Sequence, residues 1–130
     1  MPKRESFAQR AVRAQVAKRG GNPTLLELCL LRGGLIRGPQ LVLSAWWWAT
    51  VVRENPENPT GDRLGRVAGR SDATGFRYLA ELREAFPDGE LDRVVAHIER
   101  VRRSAELWSV TDEVGAARVG AERVSGLALG

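Results

Sequence analysis

The stretch TGDRLGRVAGRSDATGFRYLAELREAF, residues 60–86, restricts the fold of this chain more than any other segment. Thr60 and Ser71 are hydroxyl residues of the kind that caps helix N-termini, and each precedes a run of helical composition. Gly69 lies between the two runs, where a left-handed turn residue is required. The pattern predicts a short helix over 61–68, a tight turn, and a second helix over 73–86.

Two features predict how these helices pack against each other. Gly65 has no side chain at the position where the second helix must cross the first, which permits a close approach at some cost in helix propensity. On the second helix, apolar residues recur at helical spacing and predict an inward face, while residues near its N-terminus lie on the opposite side. The inward positions are Gly75, Tyr78, Leu79, Leu82 and Phe86.

Residues Arg63 to Leu82, RLGRVAGRSDATGFRYLAEL, resemble the general helix-turn-helix superfamily of bacterial DNA-binding regulators. The likeness lies in the glycine at the turn, the Ser-x-Ala-Thr that follows and the Arg-Tyr-Leu of the second helix, and it covers about 20 of 130 residues. Gly75 stands where that superfamily usually has valine or isoleucine, and Arg70 stands where an apolar residue is usual. These departures predict a weaker core between the two helices.

The resemblance implies sequence-specific binding to double-stranded DNA, in transcriptional or replication control, with helix 73–86 in the major groove. Arg77 is then the residue expected to read guanine through O6 and N7. Phe76 is expected to meet a thymine methyl group or to belong to the core, and Asp72 to accept from a cytosine amino group. The residues expected to contact DNA are Arg70, Ser71, Asp72, Thr74, Phe76 and Arg77.

The N-terminus of the chain is basic. Six of the first twenty side chains are Lys or Arg and one, Glu5, is acidic, although the whole chain carries a formal charge of only +4. Such a segment suits a phosphate backbone or a minor groove, and it is also the composition of a solubilising terminus. We predict a basic arm over 1–23. Its expected DNA contacts are Arg4, Arg10 and Arg13.

Two apolar patterns favour a different class of function, a helical protein-interaction adaptor. Trp46–Trp48 lie in a run, 40–54, that is apolar nearly all round, and neighbours on a helix point about 100° apart, so the three rings cannot all face one core. Residues 91–108 carry a heptad-like seam, which predicts packing within the domain or dimerisation. The expected interface residues are Trp47, Leu91, Val94, Ile98, Val101 and Trp108.

The architecture that these patterns predict is all-α, with a three-helix helix-turn-helix core and flanking N- and C-terminal helices. A helical domain occupies 24–108, and a Gly-, Ala- and Val-rich tail occupies 109–130. Several glycines precede the tryptophan-rich segment 40–54. They predict a link there, in which 35–37 is a short strand or an extended connection.

The remaining chemistry of the sequence favours a non-enzymatic protein. It contains none of the usual catalytic, phosphate-loop or metal-binding motifs, so we expect no enzyme activity, no cofactor and no metal. Cys29 is the single cysteine, which precludes an internal disulfide and favours a cytoplasmic location. The isolated His97 is expected to be a surface or edge residue. The expected partners are double-stranded DNA and a second copy of the chain, and no membrane.

Overall fold

The computed structural model describes residues 4–108, and the elements of that range are five α-helices and no strands, which confirms the all-α prediction for this part of the chain. The tail predicted over 109–130 lies outside the described residues. The helices are α1 (Phe7–Lys18), α2 (Leu25–Glu54), α3 (Gly61–Ala68), α4 (Asp72–Ala85) and α5 (Glu90–Trp108).

Helix α2 is the central element, because it packs against each of the other four helices. Its second part, residues 40–54, is apolar nearly all round, which is the pattern of a helix surrounded by other helices rather than of one lying on a surface. Leu28, Ala45 and Val51 of α2 are fully buried, and Leu64 of α3 and Leu82 of α4 are fully buried against them in the same core.

The chain bends sharply inside α2, at Gly34. This residue has φ +81° and ψ −178°, a backbone conformation that residues with a side chain rarely adopt. The two parts of α2 then touch, since a Cβ atom placed on Gly38 would lie only 3.0 Å from the Leu30 Cα. The predicted extended link at 35–37 is therefore wrong: a single glycine makes the bend, and the helix resumes immediately after it.

Helix α1 docks on α2 beside this bend. Val16 of α1 is fully buried, and the Gln9 side-chain amide donates hydrogen bonds to the carbonyl oxygens of Leu30 (3.2 Å) and Leu31 (3.1 Å). Carbonyl groups at the end of a helical run lack their regular partners, and Gln9 supplies a donor for two of them. Much of the segment predicted as a basic arm is thus a helix that forms part of the folded body.

The three consecutive tryptophans leave α2 in different directions and meet different neighbours. Trp48 is buried in the core. Trp47 stacks on the Tyr78 ring of α4, with ring centroids 6.1 Å apart and 21° between the planes. Trp46 lies under the guanidinium group of Arg102 from α5, which is 5.1 Å from the ring centroid. Trp47 is half-buried and uses one ring face within the protein, and its predicted partner-facing role stays a prediction.

The heptad-like seam of α5 faces the protein's own core. Leu91, Val94, Ile98 and Val101 are each at most 8% exposed, and α5 packs along α2. These four residues are therefore not available to a second molecule, and their predicted role as a dimer interface is corrected. Trp108 ends α5, and its side chain lies outside the described part of the chain.

Polar contacts also join α5 to α2. The Arg102 guanidinium donates to the Trp46 carbonyl oxygen (3.0 Å) and to the Thr50 hydroxyl (2.5 Å). His97 is only 2% exposed, so the prediction of a surface position for it is wrong. The sequence spacing predicts the apolar stripe of α5, but it does not reveal that Arg102 bonds to α2 or that His97 is buried.

Candidate nucleic-acid interface

The turn between α3 and α4 consists of Gly69, Arg70 and Ser71. Gly69 has the left-handed conformation, φ +69° and ψ +33°, that the sequence predicts for it. Its N–H donates to the Arg66 carbonyl oxygen (3.1 Å), and the Arg70 N–H donates to the Gly65 carbonyl oxygen (2.7 Å). Backbone hydrogen bonds therefore close the last turn of α3, and the chain enters α4 only three residues later.

Helices α3 and α4 cross backbone to backbone at three glycines. A Cβ atom on Gly75 would lie 2.7 Å from the Gly65 Cα and closer still to the Gly61 carbonyl oxygen. A Cβ atom on Gly65 would lie 3.0 Å from the Ser71 carbonyl carbon. Non-bonded atoms of this kind normally stay about 3.5–4 Å apart, so no side chain fits. The predicted weakening of the core by Gly75 is wrong, because its missing side chain is what lets the two backbones meet.

This crossing gives the first half of α4 one buried and one exposed face. Gly75, Tyr78 and Leu79 are buried against α2 and α3. The opposite face and the adjoining turn are open to solvent, apart from the half-buried Thr74. We call this surface the α4 edge. It consists of Arg70, Ser71, Asp72, Ala73, Thr74, Phe76, Arg77 and Ala80, and so it contains every residue between 70 and 77 that the sequence assigned to DNA contact.

The α4 edge begins at a capped helix N-terminus. The Ser71 hydroxyl accepts a hydrogen bond from the Thr74 N–H (3.2 Å), as the sequence predicts for an N-cap, and it donates to the Thr74 hydroxyl (3.0 Å). The other backbone N–H groups of the first turn have no carbonyl partner within the helix and point along its axis. Such an end favours a negatively charged group, of which a DNA phosphate is one.

Arginine provides the positive charge of this region. Arg70 and Arg77 are exposed, and the Arg77 guanidinium carbon lies 5.5 Å from the centroid of the Tyr78 ring. Arg66, on the last turn of α3, is also exposed and pairs at 3.4 Å with Asp62, a solvent-screened surface contact that leaves its guanidinium group accessible. Sequence reasoning did not assign Arg66 to the site, although its place just before the glycine turn was a usable signal.

The α1 docking site lies near the C-terminal end of α4, whereas the α4 edge lies at the N-terminal end of that helix. Arg32, beside the Gly34 bend, donates to the carbonyl oxygen of Ala85 at the end of α4 (2.7 Å). Arg63 of α3 instead donates to the Asn55 side chain, just after the end of α2 (2.8 Å). Helix α4 thus runs back along α2, and its 14 residues separate the two regions by about 20 Å.

The N-terminal arginines therefore do not join the α4 edge. Arg4 and Arg10 are exposed. Arg13 donates to the Glu5 carboxylate through Nε at 2.9 Å, and this hydrogen bond holds the pKa of Glu5 below its usual value. Arg13 is thus held in an ion pair with Glu5, and its predicted phosphate contact stays a prediction.

Comparison with protein-family models, curated proteins and solved structures finds no match to this chain. None of the helices between residues 4 and 108 combines the length and apolarity of a bilayer span. The same part of the chain holds no cluster of three or more His, Cys, Asp or Glu side chains suited to a metal ion.

Proposed function

We propose that this protein binds double-stranded DNA sequence-specifically, with α2, α3 and α4 as a three-helix helix-turn-helix unit and α4 in the major groove. The α4 edge carries this proposal. Its side chains project into solvent while Gly75, Tyr78 and Leu79 fix the other face of the same helix in the core. A helix whose first turns stand out from a rigid body matches a groove about 12 Å wide.

The charged residues near the turn divide between base contacts and phosphate contacts in this proposal. Arg77 lies one turn into α4 and reads guanine through O6 and N7. Arg66 and Arg70 flank the turn and contact phosphate groups, together with the N–H groups at the start of α4. Asp72 would be repelled by phosphate, so its favourable partner is the amino group of a cytosine.

A homodimer and a cytoplasmic location belong to the same proposal. One helix-turn-helix unit reads only a few base pairs, and a second copy on a two-fold related half-site supplies the missing affinity. Leu91, Val94, Ile98 and Val101 of the α5 seam are not the contact between the copies, because they are buried. The class of function proposed is a small regulator of transcription or replication.

The first experiment measures retention of the full chain on random-sequence duplex DNA over a salt series. We expect binding that weakens steeply as salt increases, because phosphate contacts release counterions. Arg70→Ala should weaken binding to all sequences alike and reduce the salt slope by about one. Absence of binding to any duplex at low salt would overturn the proposal.

The second experiment separates base reading from general attraction. Duplexes selected from random sequence by the full chain give the preferred site and show whether it has two-fold half-sites. Arg77→Ala should lower affinity for that site by about 1–3 kcal/mol and leave nonspecific binding almost unchanged. The matched control is Arg37→Ala, since Arg37 is also exposed but lies beside the Gly34 bend. Equal losses from both variants would contradict the role of α4.

The adaptor hypothesis has less support. It relied on Trp46–Trp48 and on the seam of α5, and these side chains contact other parts of the same chain wherever the structure describes them.

A further inference from the structure

Phe76 is the large apolar residue of the α4 edge. Its side chain is 55% exposed, which is unusual for phenylalanine on a helix that has an apolar core to face. The covered side of the ring rests on the backbone of α3, since a Cβ atom on Gly61 would lie 2.9 Å from the Phe76 Cγ and 2.9 Å from its Cα. The ring is therefore supported from below by α3 while its outer side remains open.

Among the residues of the α4 edge, Phe76 has the largest apolar side chain. Ala73 and Ala80 lie one turn before and one turn after it on the same face, and both are exposed. Their methyl side chains are too short to shield the ring. Arg77 follows directly and is exposed beside it. An apolar ring thus stands next to the arginine to which the proposed function assigns guanine reading.

On the basis of the proposed function, we infer that Phe76 determines specificity by contacting the C5-methyl group of a pyrimidine, in the base pair next to the guanine read by Arg77. The methyl group is the apolar feature that a base pair presents in the major groove. Thymine carries it, and 5-methylcytosine carries the same group at the same ring position. The Phe76 ring would therefore make the same apolar contact with either base, and it would lack that contact with uracil or unmodified cytosine.

The size of the effect follows from the burial of one methyl group. Burying one methyl group away from water lowers the dissociation constant about four-fold. This is smaller than the discrimination expected from the paired hydrogen bonds of an arginine to guanine, so the methyl contact would refine the site rather than define it.

The test uses the full chain and the duplex sites selected as above. At each thymine of the preferred site, deoxyuridine replaces deoxythymidine, and at each cytosine, 5-methylcytosine replaces cytosine. We expect one position, next to the guanine identified with Arg77→Ala, where the methylated base binds about four-fold more tightly than its unmethylated counterpart. A thymine effect identifies the natural base as the target, and a 5-methylcytosine effect identifies modified DNA.

Two variants assign the effect to the ring. Phe76→Ala should bring the ratio at that position to one, and Phe76→Leu should retain part of it. The matched control is Phe7→Ala, because Phe7 is 81% exposed on α1, outside the α4 edge, and its loss should leave the ratio unchanged. Melting temperatures of the variants show that each is folded.

The outcomes for the inference and for the proposed function are distinct. Specific binding with a ratio near one at every thymine and cytosine would overturn the role of Phe76 and leave the proposed function standing. A four-fold ratio that survives Phe76→Ala would also overturn it. Failure to bind any duplex would overturn the proposed function, and the inference with it.

Discussion

Gly75→Ala is the substitution that the α3–α4 crossing should tolerate least. At an exposed helical position this change stabilises a protein by about 1 kcal/mol, because alanine has the higher helix propensity. At position 75, however, the new Cβ atom would lie 2.7 Å from the Gly65 Cα and closer still to the Gly61 carbonyl oxygen. Both neighbours are backbone atoms, so no change of rotamer relieves the overlap.

The cost can be worked out from the shift that the overlap demands. To restore ordinary contact, α4 must move away from α3 by about 1 Å, and a gap of that size forfeits a quarter to a half of the dispersion energy between facing atoms. Overpacked interiors lose about 1–3 kcal/mol, and a clash between two backbones belongs at the upper end. After subtracting the gain in propensity, we expect the free energy of unfolding to fall by about 2 kcal/mol, which lowers Tm by about 8 °C.

Circular dichroism melting and urea denaturation measure this change. The control is Ala80→Gly on the exposed face of the same helix, which should cost about 1 kcal/mol through propensity alone. If Gly75→Ala is neutral or stabilising, the two helices do not approach as closely as described, and the account of the glycine crossing is refuted.

Two further predictions concern the core. Arg102→Ala should destabilise the protein by about 2 kcal/mol in urea denaturation, because it removes charged hydrogen bonds from α5 to the Trp46 carbonyl and the Thr50 hydroxyl. Arg102→Lys should not recover most of this loss. An Arg102→Ala variant whose free energy of unfolding lies within about 0.5 kcal/mol of the parent would contradict this prediction. Burial raises the pKa of the Cys29 thiol to about 12, so an aromatic disulfide reagent at pH 8 should label the native protein only as fast as it unfolds. Labelling at the rate of a free thiol would show that Cys29 is accessible.

The features that the sequence predicted well are local ones. The bounds 61–68 for α3, the left-handed Gly69 and the Ser71 cap all depend on residues within a few positions of one another. Capping side chains and glycine act through the backbone of their own turn, so their effect can be read without knowledge of distant contacts. The exposed face of α4 follows from the same local pattern, since its period fixes which side chains share a side.

The features that the sequence did not reveal depend on distant parts of the chain. An apolar stripe on α5 indicates burial, but only the packed structure shows that α2, rather than a second molecule, covers it. The same is true of Trp47, whose partner Tyr78 lies 31 positions away. Gly75 was misread for a related reason: the advantage of a missing side chain depends on how closely the other helix approaches.

Helix α2 is shared by every other helix of the described chain, and this ties distant surfaces together. The N-terminal helix rests on it beside Gly34, and α3 and α4 rest on it further along. Because one helix contacts all four of the others, a substitution that displaces α2 would disturb several surfaces of the described chain at once.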